Sequence, residues 1–281
     1  MIESTVTAHE TSGPRTLAVD VGGTGIKVLV LNESGEALSE RDRALTPQPA
    51  VPSAVIETIA QLAAAHQFDR VAVGFPGVVR MGVTITAPNL DPDWHGFAFA
   101  PSLAARLGKP VRVANDADVQ GFGAISGEGL EMVLTLGTGM GSALFVDGLL
   151  VPNLELAHHP FAEGQTYEQW LGQASLERLG EVAWRTWLDK AVLQLRHTFN
   201  FDALYLGGGN ARMLDPATLS ADVKVVPNIA GLLGGIALWN DMQSTNLVRA
   251  PQSVGAFCAI EPKIAPKSGD SSNCYTARGS E

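Results

Sequence analysis

The apolar residues of this chain fall into short runs broken by glycine, and the runs come in a recognisable order. Thr16–Val21 and Ile26–Asn32 read as β-strands joined by Gly22-Gly23-Thr24-Gly25, and Asn32-Glu33-Ser34-Gly35 turns the chain into a third short strand. That is a hairpin meander. Ser53–Gln67 carries Val55, Ile56, Ile59, Leu62 and Ala63 on one helical face, the 3.6-residue period of an amphipathic helix. Arg70–Phe75 and Val78–Thr86 read as strands, and Leu103–Leu107 as a short helix closed by Gly108 and Pro110. Val111–Ala114 reads as a buried strand followed by a helix over Asp116–Ile125.

The order then restarts. Glu131–Leu136 is a strand, Gly137-Thr138-Gly139-Met140-Gly141 a glycine-rich turn and Ser142–Val146 a strand, with Asp147-Gly148 as a hairpin signal. Thr166-Tyr167-Glu168-Gln169 has the form of a capping box, opening a helix that runs to Gly180. A long helix over Glu181–Phe199, strands at Ala203–Leu206 and Val223–Val226, and a glycine-interrupted helix over Ile229–Trp239 complete the pattern. Strand, glycine turn, strand thus occurs twice, at Val19–Val30 and Leu134–Val146. The repeat predicts two related halves facing each other across a cleft: an N-terminal α/β domain over 1–114, a C-terminal one over 115–240, and an irregular polar tail over 241–281.

Composition narrows the function classes. The chain has 281 residues, 46% of them hydrophobic, enough for sizeable cores. A formal net charge of −10 gives no general attraction for nucleic acid or an anionic membrane. The residues before Thr16 lack the basic start and apolar stretch of a secretion signal, and no apolar run reaches spanning length; a cytoplasmic protein is expected. Cys258 and Cys274 make neither a disulfide framework nor a four-thiolate zinc site.

The glycine turns carry the first candidate chemistry. In Asp20-Val21-Gly22-Gly23-Thr24-Gly25-Ile26-Lys27, successive backbone amides can approach a phosphate, Thr24 adds a hydroxyl, and Lys27 a positive charge. Asp20 at the strand end is placed to hold magnesium through water. Gly137, Thr138, Gly139 and Gly141 form a second such turn, and Gly207-Gly208-Gly209-Asn210 a third, suited to a nucleotide's sugar or base or simply opening a helix. Neither G-x-G-x-x-G opening a helix after a strand nor the Walker pattern occurs. Asn115-Asp116 follows a strand, where active-site groups of α/β folds gather. A carboxylate there can take a proton from an attacking hydroxyl, and the competing reading is a helix N-cap. Asp118 is a second candidate, about 200° further round the helix, so only one of the two can face the cleft. Glu155, His158 and His159 form a polar cluster able to bind sugar hydroxyls, with His159 read as a surface residue; Asn89 and Trp94 are candidate pocket residues.

Six segments in order resemble the ROK family of sugar kinases and sugar-responsive repressors: Asp20–Lys27, Pro88-Asn89-Leu90, Asn115-Asp116-Ala117, Gly137–Gly141, Glu155–His158 and Gly207–Gly209. The stretch Leu134–Pro160 resembles the polyphosphate glucokinase branch. The resemblance implies a ribonuclease H-like, actin-like two-domain fold with a deep central cleft. It implies Asp116 as base, Asn89, Asn115, Glu155 and His158 as sugar ligands, and the glycine turns, with Gly208 and Gly209, as phosphate and nucleotide sites. It further implies magnesium, ATP or polyphosphate as donor, glucose as acceptor with mannose or an amino sugar as alternatives, and a homodimer. The cysteine-rich zinc loop of many members is missing here, so no zinc site is expected. Ala157 stands where the family motif has glycine, a replacement that suits only a right-handed backbone. The family's repressors need a helix-turn-helix ahead of the kinase-like part, for which the residues before Thr16 are too few. A non-catalytic sugar sensor is the remaining alternative.

Overall fold

The structure is a computed structural model, and it describes residues 13–227 and 230–240. The expected tail over 241–281, with both cysteines, lies outside the described residues.

The first half forms in chain order β1 (Thr16–Val21), β2 (Gly25–Leu31), β3 (Asp42–Leu45), helix α1 (Pro52–Ala63) and β4 (Arg70–Phe75). The small hairpin of β5 (Val79–Arg80) and β6 (Val83–Thr84), helix α2 (Phe99–Leu107) and β7 (Val111–Asn115) follow. The single strand expected over Val78–Thr86 is therefore two. Met81 and Gly82 take φ of 52° and 75°, and two successive left-handed residues make the tight hairpin turn that folds the segment back on itself. Helix α2 begins at Phe99, earlier than the apolar spacing suggests, because the buried Phe99 and Ala100 start its inward face.

The second half opens with α3 (Asp116–Phe122) and repeats the order with β8 (Leu130–Leu136), β9 (Met140–Val146) and β10 (Leu149–Val151). A two-stranded ribbon of β11 (Pro160–Ala162) and β12 (Gln165–Thr166) precedes α4 (Tyr167–Leu171), α5 (Gln173–Leu179) and α6 (Glu181–Phe199). Strands β13 (Ala203–Gly207) and β14 (Val223–Val225) follow, then α7 (Ala230–Leu233) and a 3-10 helix over Gly234–Trp239. The capping box forms as read, Thr166 Oγ1 accepting from Gln169 N and Gln169 Oε1 from Thr166 N. Its helix stops at Gly172 rather than Gly180, however, since the Gly172 backbone is extended, and a new helix starts at once.

Two sheets result, with orders β3-β2-β1-β4-β7 and β10-β9-β8-β13-β14. In each, three strands run as an antiparallel meander and two further strands add in parallel. That is the ribonuclease H-like arrangement, twice. The first core gathers Leu17, Val19, Ile26, Val28, Ile59 and Phe75 around Trp94 and Phe99. The second packs Met132, Leu134, Leu204 and Leu206 against Trp184, Leu188 and Leu195 of α6.

Residues 230–239 lie against the first sheet and α3. Leu232 packs with Ala18, Leu29 and Leu31, and Leu238 with Ala72, Ala114 and Val119. Two glycines permit this approach: a Cβ at Gly234 would overlap the Val119 carbonyl, and one at Gly235 would crowd Ala72 and Ala18. Trp239 closes the segment between the guanidinium groups of Arg70 and Arg112, 5.1 and 4.3 Å from its ring centre.

Glu131 is the charged group most deeply committed to the fold, with 0% of its surface exposed. Its carboxylate accepts from the Ser126 amide (2.8 Å), the Ser126 hydroxyl (2.8 Å), the Gly127 amide (2.7 Å) and the Tyr205 hydroxyl (2.7 Å). Burial by itself raises a carboxyl pKa, but these donors outweigh it and hold Glu131 below its ordinary 4.5. A carboxyl depressed in the folded state stabilises fully above its unfolded pKa and loses that contribution as pH falls through the folded one. Glu131→Gln turns an NH2 towards donors and leaves at least one unpaired, at a cost of about 2–3 kcal/mol. Urea denaturation at pH 7 should show that loss, and the gap between wild type and variant should narrow as pH falls below the ordinary carboxyl range and through the lowered folded pKa of Glu131.

Candidate active site

A cavity of about 310 Å³ lies between the two sheets. The chain builds it from the ends of strands and the turns after them, because those are the places where backbone amides are left over. In the first turn the Gly22 amide is used internally, donating to Gly25 O at 3.0 Å. The amides of Gly23 and Thr24 find no partner among the described residues. The turn is clamped from behind by Thr46, whose hydroxyl donates to Gly22 O at 2.5 Å. The second turn repeats the device: Gly137 donates to Gly139 O at 3.0 Å, while the amides of Thr138 and Gly139 find no partner among the described residues. Gln173, at the start of α5, donates to the carbonyls of Gly137 and Thr138. Both turns thus have most of their carbonyls bonded and two amides left unpaired among the described residues. The third glycine run comes in beside the second. Gly208 has φ +87°, and a Cβ there would run into the backbone of Leu136, so the close approach of β13 to β8 at this level requires glycine.

Asp20, Gly22, Gly23, Thr24 and Lys27 all line this cavity, as do Asn89, Asn115, Asp116, Glu155 and His158, Gly137, Thr138, Gly139 and Gly141, and Gly208 and Gly209. Three candidates do not join them: Asp118, Trp94 and His159. Trp94 is fully buried in the first core and donates to Ala50 O at 2.7 Å. His159 is exposed, its Nδ1 2.9 Å from Pro160 O.

The turn from β7 into α3 sets the central group. Asn115 is the N-cap: its Oδ1 accepts from the amides of Ala117 (2.8 Å) and Asp118 (3.2 Å). Its Nδ2 donates to Gly77 O at 3.2 Å. Capping and cavity-lining are therefore not alternatives for Asn115. Asp116 is only partly exposed and meets the cleft directly, with Gly74 of β4 beneath it, where even a Cβ would touch Asp116 Cα at 3.4 Å. Burial, then the negative charge of Asp20, push the Asp116 carboxyl up to about 7. Asp118 turns the other way, as the helical angle predicts, and is 1% exposed. Burial raises it to about 8, so it is largely neutral at pH 7 and adds little negative charge behind Asp116.

Lys27 Nζ lies 2.7 Å from Asp20 Oδ2, so its charge is shared with the carboxylate. Glu155 is raised by burial, an effect that His158, 3.6 Å away, opposes and Glu168 reinforces. Ala157 sits in a short 3-10 turn over Leu156–His158, among right-handed residues. Its methyl is therefore accommodated, and His158 reaches the cavity.

The sequence reading missed five polar side chains of the cavity, Thr135, Ser142, Arg43, Gln120 and Glu168, of which the last three bear most on its charge and hydrogen bonding. Arg43 pairs with Lys27 across β2 and β3, and among the described residues it makes no ion pair. Strand alternation puts Arg43 beside Lys27, a signal available once the register of β3 is known. Gln120 Nε2 is buried without a partner in the space Gly207 leaves open. Glu168 accepts from the Met140 amide at 3.3 Å and fills the space over Gly139. In the sequence it is an ordinary first-turn acid of a capped helix, and nothing local marks its reach to the second glycine turn.

Among the described residues no group of three or more His, Cys, Asp or Glu gathers to enclose a metal. Nor is any helix among them long and apolar enough to cross a membrane.

Comparison with known proteins gives this geometry a family. Residues 16–152 match the model of the ROK family. The polyphosphate glucokinase of Mycobacterium tuberculosis is 32% identical over 250 residues, 83% of this chain and 94% of that protein. The polyphosphate glucokinase of Mycobacterium leprae is 35% identical over 221 residues, 74% of this chain and 68% of that protein. Among solved structures, the inorganic polyphosphate/ATP-glucomannokinase from Arthrobacter sp. strain KM matches with a TM-score of 0.73 and 34% identity, over 81% of this chain and 100% of that one. A ROK family glucokinase from Streptomyces griseus, at 21% identity and a TM-score of 0.65 over 80% of this chain and 98% of that one, shares the fold. With paired ribonuclease H-like sheets, a carboxylate between two glycine turns, and a third of its residues in common with enzymes it matches nearly end to end, the chain belongs to the ROK family.

Proposed function

We propose that this chain is a sugar kinase that transfers a phosphoryl group from polyphosphate or ATP to the 6-hydroxyl of glucose. The observation that carries the reading is Asp116, a carboxylate held near neutrality in a cavity that also contains two turns with unspent amides. A base with a pKa near the working pH combines a useful ionised fraction with a real affinity for the proton. Asp116 takes the proton of the sugar hydroxyl as that oxygen forms its bond to phosphorus and the donor's bridging P–O bond breaks. Asn89, Asn115, Glu155 and His158 surround the sugar. The amides of Gly23, Thr24, Thr138 and Gly139 lie where charge spreads over the transferred group, and such fixed donors act without reorganising. Gly208 and Gly209 suit the remainder of a nucleotide.

A magnesium ion fits the donor set at the phosphate side: Asp20 is a single carboxylate there, and magnesium keeps most of its waters and takes its other ligands from phosphates. When bound, it would neutralise the donor's charge. The lining also bears on the donor. No Phe, Tyr or Trp faces the cavity among the described residues, while Lys27 and Arg43 do. Recognition that runs through phosphate rather than through stacking on a base favours a polyphosphate chain. The non-catalytic sensor reading loses the support that Ala157 gave it, since that residue sits in a right-handed turn.

The test is glucose 6-phosphate formation by the purified protein with magnesium, supplied with polyphosphate or with ATP. Asp116→Asn should lower turnover by about 10²- to 10⁴-fold while glucose still binds; near-normal turnover in that variant removes Asp116 from the role of base. In the wild type, kcat/KM for glucose should fall as pH drops below about 7, because Asp116 is then protonated and has no site for the hydroxyl's proton. A profile flat from pH 5.5 to 8 argues for another base. Arg43→Gln should raise the KM for polyphosphate by roughly fivefold at low salt, leave that for glucose unchanged, and lose its effect in ~0.5 M salt, where exposed charges are screened.

A further inference from the structure

Asn153 is bound in two directions at once. Its backbone takes φ +60°, a left-handed conformation that asparagine tolerates better than most residues. In that conformation its N–H donates to Asp118 Oδ2 at 3.3 Å. Its side-chain Oδ1 accepts from the Val79 amide at 3.1 Å. Val79 opens β5, on the first-sheet side of the cleft, and Asp118 lies in α3. Two residues after Asn153 comes Glu155. The residue between them, Leu154, is fixed through its carbonyl, which accepts from the Ser142 hydroxyl of β9 at 2.6 Å.

The Val79 end of this connection is rigid. Gly77 has no room for a side chain, since a Cβ would strike the Thr86 carbonyl. The Val78 amide donates to Thr86 Oγ1 at 3.0 Å, and Ile85 N donates to Val78 O at 2.8 Å. Gly77 O also receives the Asn115 side chain. One short loop therefore holds both the asparagine that precedes Asp116 and the asparagine that precedes Glu155. The other end is unusual for a different reason. Asp118 is buried, and its Oδ1 finds no partner among the described residues, so its bond to Asn153 is the only one its carboxylate makes among them.

We infer that Asn153 is a positioning residue for the sugar: it ties the segment carrying Glu155 to the first-sheet wall of the cleft through Val79, with Asp118 as its anchor in α3. Glu155 then keeps its place relative to Asn115 and Asp116 only while this tie is made. The inference rests on the kinase reading in assigning Glu155 to the sugar, and Asn153 itself does not line the cavity.

Asn153→Gly keeps the left-handed backbone and the N–H to Asp118 and removes only the bond to Val79. It should weaken glucose binding, by calorimetry and in KM, by about fivefold, the worth of one hydrogen bond. The KM of the phosphoryl donor should stay as in the wild type, and the melting temperature should fall by no more than a few degrees, as for the loss of one hydrogen bond. Asn153→Asp, which keeps an oxygen acceptor and tolerates the same backbone, should restore glucose binding to within about twofold. Amide exchange read by NMR should show the Val79 N–H exchanging faster in the glycine variant alone. Unchanged glucose binding, or equal weakening of sugar and donor together with a larger fall in melting temperature, overturns the inference; so does an unaltered Val79 exchange rate. If the wild type phosphorylates no sugar, the kinase reading fails, and the exchange measurement still decides whether the tie exists.

Discussion

The side chain of Asn115 does three things, and most of the site depends on them together. It caps α3 by accepting two amides, it fixes the direction in which Asp116 leaves the strand, and it donates to the loop at Gly77. A strand that ran one residue longer would shift Asp116 to the opposite side, since strand side chains alternate. The cap ends β7 at the required residue by giving the first helical amides a partner they would otherwise lack. The glycines around it serve the same junction. Gly74 lets β4 pass beneath Asp116, and Gly141, where a Cβ would press on Ala117 and Thr135, lets β9 pass beside the first turn of α3. A methyl at Gly74 would only reach van der Waals contact with Asp116, whereas one at Gly141 would have to push Thr135 or Ala117, the residue next to Asp116, out of place.

The repeated halves explain how one chain obtains two amide-presenting turns. In each, an antiparallel hairpin must reverse within a few residues. Its closing bond uses a glycine amide and leaves the next two amides without a partner among the described residues. A hairpin of the same length without glycine would not bring its backbone so near a ligand. Duplication of the meander, rather than any special residue, places two such turns on one cavity. This is why the turns were legible in the sequence from strand, glycine and spacing alone. The capping role of Asn115 was legible as well, as one of two readings that proved compatible.

What was not legible depends on distance along the chain. Glu168 reaches Gly139 across 29 positions, and Arg43 reaches the first turn only through the pairing of β3 with β2. Both look like ordinary surface charges until register and packing are known. The hairpin at Met81-Gly82 was hidden because a non-glycine residue in a left-handed turn leaves no mark in composition. The break between α4 and α5 was hidden because Gly172, extended between two helices, reads like an ordinary interruption. In each case the deciding energy is tertiary: a buried bond or a packed face that the local sequence does not contain.

The charge balance of the cavity connects these features to how the donor enters. Asp20, Asp116, Glu155 and Glu168 line it, against Lys27 and Arg43. A polyanion approaching four ionised carboxylates would be repelled, and an enclosed, low-dielectric cleft strengthens that repulsion. The structure reduces it in two ways. Lys27 is held on Asp20, and Asp116 and Asp118 are drawn towards their neutral forms by burial. On the proposed reading, the remaining attraction for phosphate would come from neutral amides, which add no charge of their own and cost nothing to keep aligned. A donor that brings its own divalent cation relieves what is left, and the cation's field also favours the ionised form of a carboxyl nearby. On the proposed kinase reading, the empty site would hold Asp116 about half protonated at pH 7, and donor and cation together would shift it towards the ionised form that can take a hydroxyl's proton.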